Sequence, residues 1–350
     1  MEQKVGTGSL RFAEAPFILQ SGSIVGHLEG EGPIGKMFDL IGEDAWFGCD
    51  SWEKAESTLQ KEALTLALGK TQIEASQVDY LFAGDLLGQT MATSFGLKNF
   101  QLPLFGLYGA CSTCGEALSL AAMTVAADYA RAVCAVTSSH FEGAEKQFRF
   151  PIEYANQRPM SATWTVTGSG AFVLGNRELY MQKKKENVNL LTARIAGITT
   201  GKIVDYGIKD SMNMGAAMAP AAAYVIEENL KDFSDLEYDR IVTGDLGTVG
   251  SRILCDLLKE KGLDISHIHE DCGVKIFDGK KQGTGAGGSG CGCSASMLSA
   301  YYLPKIGKGK YKRILFVPTG ALLSTVSFNE GQSVPGIAHG VIIESSEEEE

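Results

Sequence analysis

Cys111 is the residue best placed to do chemistry. It stands in Phe105-Gly106-Leu107-Tyr108-Gly109-Ala110-Cys111-Ser112-Thr113-Cys114-Gly115, where a short apolar run passes through small residues into a helical pattern at Leu118, Ala121, Ala122 and Val125. A cysteine at a helix N-terminus lies at the positive end of the helix dipole, which favours thiolate and lowers its pKa. The free backbone N–H groups of such a turn also bind anions. The segment offers either a nucleophile beside an oxyanion or carboxylate site, or a small buried thiol in a tight strand-to-helix turn. A nucleophile needs a base and hydrogen-bond donors. His140, after the apolar run 132–139, is a base candidate or a hydrogen-bonded structural histidine. His339, in Pro335-Gly336-Ile337-Ala338-His339-Gly340, is a second candidate for lining a pocket. Lys146, Arg149, Phe150, Tyr154, Arg158 and Trp164 supply cations and aromatic faces, suited to forking a carboxylate and stacking on a flat ring. Each of them can equally be solvated surface.

The elements that position these residues alternate between β and α. Strand patterns cover 17–25, 78–83, 104–108, 132–137, a glycine-interrupted 160–174, 190–198, 240–242, 313–317 and 340–344. Helical periods cover 52–68, the Cys111 helix to about 131, 214–230, 248–261 and 294–303. Two rounds of this alternation suggest an internal duplication with helices on both sheet faces. The expected division is a first half over 1–182, a second over 188–344, and a disordered acidic tail over 345–350. Lys183-Lys184-Lys185-Glu186-Asn187 reads as a surface link between the halves. The 350 residues are 44% hydrophobic and 21% charged, as in a soluble globular protein, and the 42 glycines point to many tight turns. A net charge of −11 argues against nucleic acid and against simple electrostatic docking on anionic lipid. No apolar run approaches the roughly 18 residues of a membrane span, and no secretory h-region is visible. The eight cysteines are expected to stay reduced. Cys111-x-x-Cys114 with Cys291-x-Cys293 is an unusual spacing for zinc, and no metal is assigned. His267-Ile268-His269-Glu270-Asp271 reads as a solvated loop.

Gly109-Ala110-Cys111 with its alanine-rich helix resembles the nucleophile elbow of the thiolase superfamily, which includes the thiolases and the ketoacyl-acyl-carrier-protein synthases. Further landmarks follow in the family's order: Thr167-Gly168-Ser169-Gly170-Ala171-Phe172, then Gly283 to Ser296, then Phe316-Val317-Pro318-Thr319-Gly320-Ala321. The resemblance covers roughly residues 15 to 344. It implies an α/β, thiolase-like fold of five layers, α-β-α-β-α, with two duplicated halves and a homodimer, whose seam we place at 132–137. It also implies catalytic partners that this chain lacks. The synthase histidine falls at or near Gly244, the late Asn or His falls near Cys291, and no Gly-His-Pro of the thiolase type exists. Loss of a general base costs about 10²–10⁴ in rate, so an enzyme is not expected. Gly-Ala-Cys-Ser-Thr-Cys-Gly-Glu and Ser-Val-Pro-Gly-Ile-Ala-His-Gly closely resemble the stage V sporulation protein AD family of spore-forming Firmicutes. That resemblance implies a pseudo-enzyme without a cofactor. It would bind dipicolinic acid or its calcium chelate and act with membrane proteins of the same operon at the spore inner membrane. The ligand-lining residues expected are Cys111, His140, Arg149, Arg158, Trp164, Gly244, Cys291 and His339. The competing expectation is an active cysteine acyltransferase or β-ketoacyl synthase using Cys111.

Overall fold

The computed structural model describes residues 3–148 and 157–346. Ten strands carry the architecture. In the first half they are β1 (Phe17–Val25), β2 (Tyr80–Asp85), β3 (Leu104–Leu107), β4 (Ala132–Ser139) and β5 (Gly168–Gly175). In the second they are β6 (Ala193–Thr200), β7 (Arg240–Thr243), β8 (His269–Asp271), β9 (Arg313–Val317) and β10 (Gly336–Ser345). The spatial order is β3-β2-β4-β5-β1 and then β6-β10-β9-β7-β8. Read outward from the join, each half therefore runs first, fifth, fourth, second, third strand. The directions repeat too. β1–β5 and β5–β4 are antiparallel while β4–β2 and β2–β3 are parallel, and β6–β10, β10–β9, β9–β7 and β7–β8 follow the same pattern. The halves meet where Ala193 and Arg194 of β6 pair with Ile18 and Phe17 of β1.

Helices fill three layers around these two sheets. In the first half they are α1 (Trp52–Thr71), α2 (Met91–Leu97), α3 (Thr113–Ala126), α4 (Phe141–Phe148) and α5 (Arg177–Lys185). In the second they are α6 (Met214–Asp232), α7 (Gly247–Glu260) and α8 (Cys291–Met297), which runs on through a π turn at Leu298–Tyr302. The buried faces of α1 and α2 cover the outside of the first sheet, and α6 and α7 cover the outside of the second. Between the sheets lie α3 and α8. A helix touching sheets on both sides must be apolar all round and narrow. Both meet that demand: α3 buries Gly115, Ala117, Leu118, Ala121 and Ala122, and every residue of α8 is buried among Gly292, Ala295 and Met297. The five-layer thiolase-like architecture is thus present.

Several expected boundaries shift. Residues 164–165 and 168–175 form two strands, not one interrupted strand, and β1 is a single strand. Lys183-Lys184-Lys185 is the last turn of α5, and Lys183 is buried with its Nζ donating to the Gln72 carbonyl, so it is no free link. His269–Asp271 is the edge strand of the second half with Asp271 buried, not a solvated loop. Ser345 ends β10, and Ser346 just beyond it donates its N–H to the Thr192 carbonyl. Residues 347–350 lie outside the described residues.

Candidate functional site

After β3 the chain turns from Tyr108 to Ser112 before α3 begins. Ala110 sits at φ 51°, and the turn is tied by its own hydroxyls. Ser112 Oγ donates to the Gly109 carbonyl at 2.7 Å and Thr113 Oγ1 to the Ala110 carbonyl at 2.6 Å. Thr319–Ala321, an extension beyond β9, passes so close that a Cβ on Gly320 would stand 2.5 Å from the Gly109 carbonyl oxygen. Cys111 is 6% exposed. Over it lies a cavity of about 30 Å³, closed by Tyr108, Glu145, Phe148, Met214 and Leu323.

The residue on the other side of the thiol is Asp245, in the turn after β7. Its carboxylate is fully buried. It accepts the Thr319 hydroxyl at 2.6 Å, the Gly290 N–H at 2.9 Å and the Cys111 thiol. Asp271, at the end of β8, holds that turn in place. It accepts the Leu246 N–H at 2.9 Å, the Gly247 N–H at 3.0 Å and the Thr243 hydroxyl at 2.7 Å. Gly290, at φ +106°, must lack a side chain, because a Cβ there would meet Ser139 Oγ at 2.5 Å.

The electrostatics reverse the sequence expectation for Cys111. Burial pushes its thiol well above the ordinary cysteine range, and the negative Asp245 beside it adds to the shift. The helix dipole is too weak to offset both. Asp245 is itself raised to about 7, by burial against the downward pull of its donors. A neutral thiol donating to a carboxylate is a poor nucleophile.

The other expected lining residues fall in several places. Cys291 opens α8, packs with Leu86 and Cys111, and donates its thiol to the Ser138 carbonyl at 2.9 Å. Among the described residues it is the one expected partner brought to Cys111. His140 does not approach it. Its Nε2 pairs with the Ala45 carbonyl at 2.8 Å, Gly143 N–H faces Nδ1, and burial lowers its pKa, so it is a neutral structural histidine. His339 is also neutral, lowered to about 4 by burial, with the Gly201 N–H on Nδ1. Neither lines the cavity, nor does any other of the five histidines. Arg158 pairs with buried Glu145 at 2.6 Å, donates to the Thr163 carbonyl and lies over Phe141 and Trp164. Arg158 and Trp164 line a neighbouring cleft of about 960 Å³, not the Cys111 cavity. A Cβ on Gly244 would meet Pro318 Cα at 3.0 Å and Ser294 Cβ at 3.2 Å, so that position points into packed core. Lys146 is paired with Glu53 on the surface. Arg149, Phe150 and Tyr154 lie outside the described residues.

Asp245 escaped the sequence analysis, although an internal signal marked it. The same tripeptide stands at the C-terminal end of the second strand of each half, Gly84-Asp85-Leu86 closing β2 and Gly244-Asp245-Leu246 directly following β7. Each central helix likewise has a cysteine at its start, Cys111 just before the Ser112 N-cap of α3 and Cys291 as the first residue of α8. The duplication crosses at the centre: Asp245 of the second half reaches Cys111 of the first, and Asp85 and Glu56 of the first half raise the thiol of Cys291 in the second.

Comparison with known proteins agrees with this geometry. The model of the family described as stage V sporulation protein AD (SpoVAD) matches residues 6–344. Stage V sporulation protein AD of Bacillus subtilis (strain 168) is 39% identical over 335 residues, covering 95% of each chain. Among solved structures, human mitochondrial 3-ketoacyl-CoA thiolase in complex with CoA superposes with a TM-score of 0.58 at 14% identity, covering 96% of this chain and 99% of that one. The 3-oxoacyl-[acyl-carrier-protein] synthase III of Aquifex aeolicus VF5 gives 0.55 at 13% identity, covering 94% and 99%. At these identities the two enzymes share the fold.

Proposed function

The chain belongs to the stage V sporulation protein AD family, and from that membership we propose that it is a non-catalytic binding component of a spore transport assembly. Its ligand is dipicolinic acid or the calcium chelate of that acid, held over Cys111. It works with membrane proteins of the same operon at the spore inner membrane and needs no cofactor of its own. The observation that carries this proposal is the cavity chemistry. Cys111 is a neutral thiol held by a buried carboxylate, with no histidine among the lining residues, so the site is better suited to holding a molecule than to attacking one. Thr165 and Ser289 are among the lining residues beside Cys111, and hydroxyls of this kind can donate to a carboxylate. Tyr108 and Phe148 supply aromatic faces on the rim.

The present volume is about 30 Å³, roughly one water's share of liquid volume, so a ring with two carboxylates requires the pocket to widen. The side chains closing it, Tyr108, Phe148, Met214 and Leu323, are all partly exposed, and their outward rotation would widen it. No described helix is long and apolar enough to cross a membrane; in this proposal the partner proteins supply the contact with the membrane. Titration calorimetry with sodium dipicolinate and with calcium dipicolinate tests the proposal. Saturable binding that is abolished in a folded Cys111→Trp variant, and much weaker binding of benzoate, are the expected results. No heat, or full binding by Cys111→Trp, refutes it.

A further inference from the structure

A second cleft, of about 730 Å³, opens at the pole opposite Cys111. β9 runs from Arg313 toward the Thr319–Ala321 extension beside Cys111, so its first residue marks the far end. The two sites share no lining residue. The cleft lies at the join of the halves, where Arg194 of β6 pairs with Phe17 of β1. Phe12, Phe17 and Phe233 are buried beneath it. Its polar wall is made of guanidiniums on neighbouring strands. Glu344 of β10 stands in register between Arg194 of β6 and Arg313 of β9. Arg194 gives Nε and Nη2 to Glu344 Oε1 at 2.9 and 2.8 Å, and Arg313 gives Nε and Nη2 to Oε2 at 2.8 and 2.7 Å. Two guanidiniums thus share one carboxylate that is itself buried, which leaves one positive charge in excess. Arg11, on the short strand Ser9–Arg11, lies over the Phe233 ring and forks to Asp235, which is not among the lining residues. Arg177, in the first turn of α5, makes no hydrogen bond or ion pair among the described residues, and Arg194 Nη1 is likewise left over. The other acids of the cleft, Glu14, Asp128 and Glu178, are exposed on its rim.

We propose that this cleft is a second ligand site, which takes a small organic anion with one oxyanion head, carboxylate or phosphate, on an apolar body. A guanidinium presents its N–H groups as a planar fork that matches such a head. The anion supplies the charge missing from the Arg194–Glu344–Arg313 trio and meets the unused donors of Arg194 and Arg177, while its body lies over the aromatic floor. The volume falls within the roughly 300–1,000 Å³ of small-ligand pockets. The acidic rim sets the size of the ligand. A polyanion or an anionic surface would meet Glu14, Asp128 and Glu178 as well as the arginines, whereas a single head reaches past them. This site does not depend on what binds over Cys111.

Titration calorimetry of the full-length protein at low salt, with phenyl phosphate, benzoate and inorganic phosphate as probes, tests this. Saturable binding of phenyl phosphate or benzoate is expected, and the tighter of the two names the head. Inorganic phosphate, which has no apolar body, is expected to bind about tenfold more weakly than phenyl phosphate. Arg194→Gln is expected to weaken the tighter probe about tenfold or more, the scale of a lost hydrogen bond to a charged group. Arg177→Gln, at an exposed position with no partner to lose, is expected to weaken it several-fold and serves if the Arg194 variant does not fold. Cys111→Trp is expected to bind it as the parent does. No saturable binding of either aromatic probe, equal binding of inorganic phosphate, or binding undiminished in both arginine variants overturns the proposal. Loss of binding in a folded Cys111→Trp also overturns it, because the probe then sits over Cys111. A failure of dipicolinate to bind leaves this result untouched.

Discussion

At the scale of single residues, the contest at Cys111 is between a helix dipole and a buried carboxylate. The dipole contributes about 0.3–1 kcal/mol, up to ~2 when partly buried. Burial and Asp245 push the other way and win, so the thiol is neutral across the physiological range. We predict that Cys111 forms no acyl-enzyme at a useful rate with acyl-CoA or acyl carrier protein. Intact-protein mass spectrometry checks this; rapid, stoichiometric acylation that vanishes in Cys111→Ala would restore the acyltransferase alternative. Cys111 and Cys291 were legible from residue type and from the glycine turns around them. Asp245 was not, because the family histidine position falls on Gly244, one residue away. Adjacent residues in a turn point to different sides, and it is the fold that sets Gly244 against Pro318 and Asp245 beside Cys111. Arg158 misled for a related reason. Its type suits a ligand carboxylate, but the fold supplies it with a carboxylate of its own, Glu145.

At the scale of elements, apolar period and small-residue content located every named strand but β8, and the helices α1, α3, α6, α7 and α8, but not the shorter α2, α4 and α5. They also missed polar burial. The inner face of α1 carries Glu56 and Gln60, four residues apart, onto β2 and β4. There Ser138 Oγ donates to Glu56 at 2.9 Å and Gln60 Nε2 reaches the Gly84 carbonyl at 3.0 Å. Glu56 lies well above the ordinary carboxyl range, through burial first and the nearby Asp85 second. A carboxyl raised in the folded state is stabilising below its unfolded pKa, about 4.3, and that contribution is lost as pH rises through the folded value. Glu56→Gln removes the titration. Relative to the parent, it is predicted to gain about 1 kcal/mol or more between pH 5 and pH 8, since one pKa unit is worth ~1.4 kcal/mol. Urea unfolding at both pH values measures this, and an unchanged difference between the two proteins would show that Glu56 does not carry the proton.

At the scale of the whole molecule, the open question is what covers the edges of the two sheets. The seam expected at 132–137 cannot be one, since β4 is paired on both sides, to β2 and to β5. The free edges are β3 and β8. On β8, Glu270 is engaged by Arg240 and Lys275, a charged edge of the kind that resists further pairing. β3 is Leu-Phe-Gly-Leu, without a charge, and Phe105 is 54% exposed beside the exposed Leu104. An uncharged apolar edge of this kind invites another strand. We therefore predict a homodimer in which β3 strands from two copies join the first-half sheets. An obligate contact commonly buries more than about 2,000 Å². Light scattering at micromolar concentration is expected to give twice the chain mass, falling to one chain mass for Phe105→Glu with the far-UV spectrum unchanged; a monomeric parent refutes it. The seam also bears on the site. Tyr108, the residue after β3, is 45% exposed and forms part of the wall over Cys111. A partner strand on β3 would cover the outer side of that wall, so Phe105→Glu should weaken dipicolinate binding as well as association. Loss of dimer with full retention of binding would separate the two and place the pocket wholly within one chain.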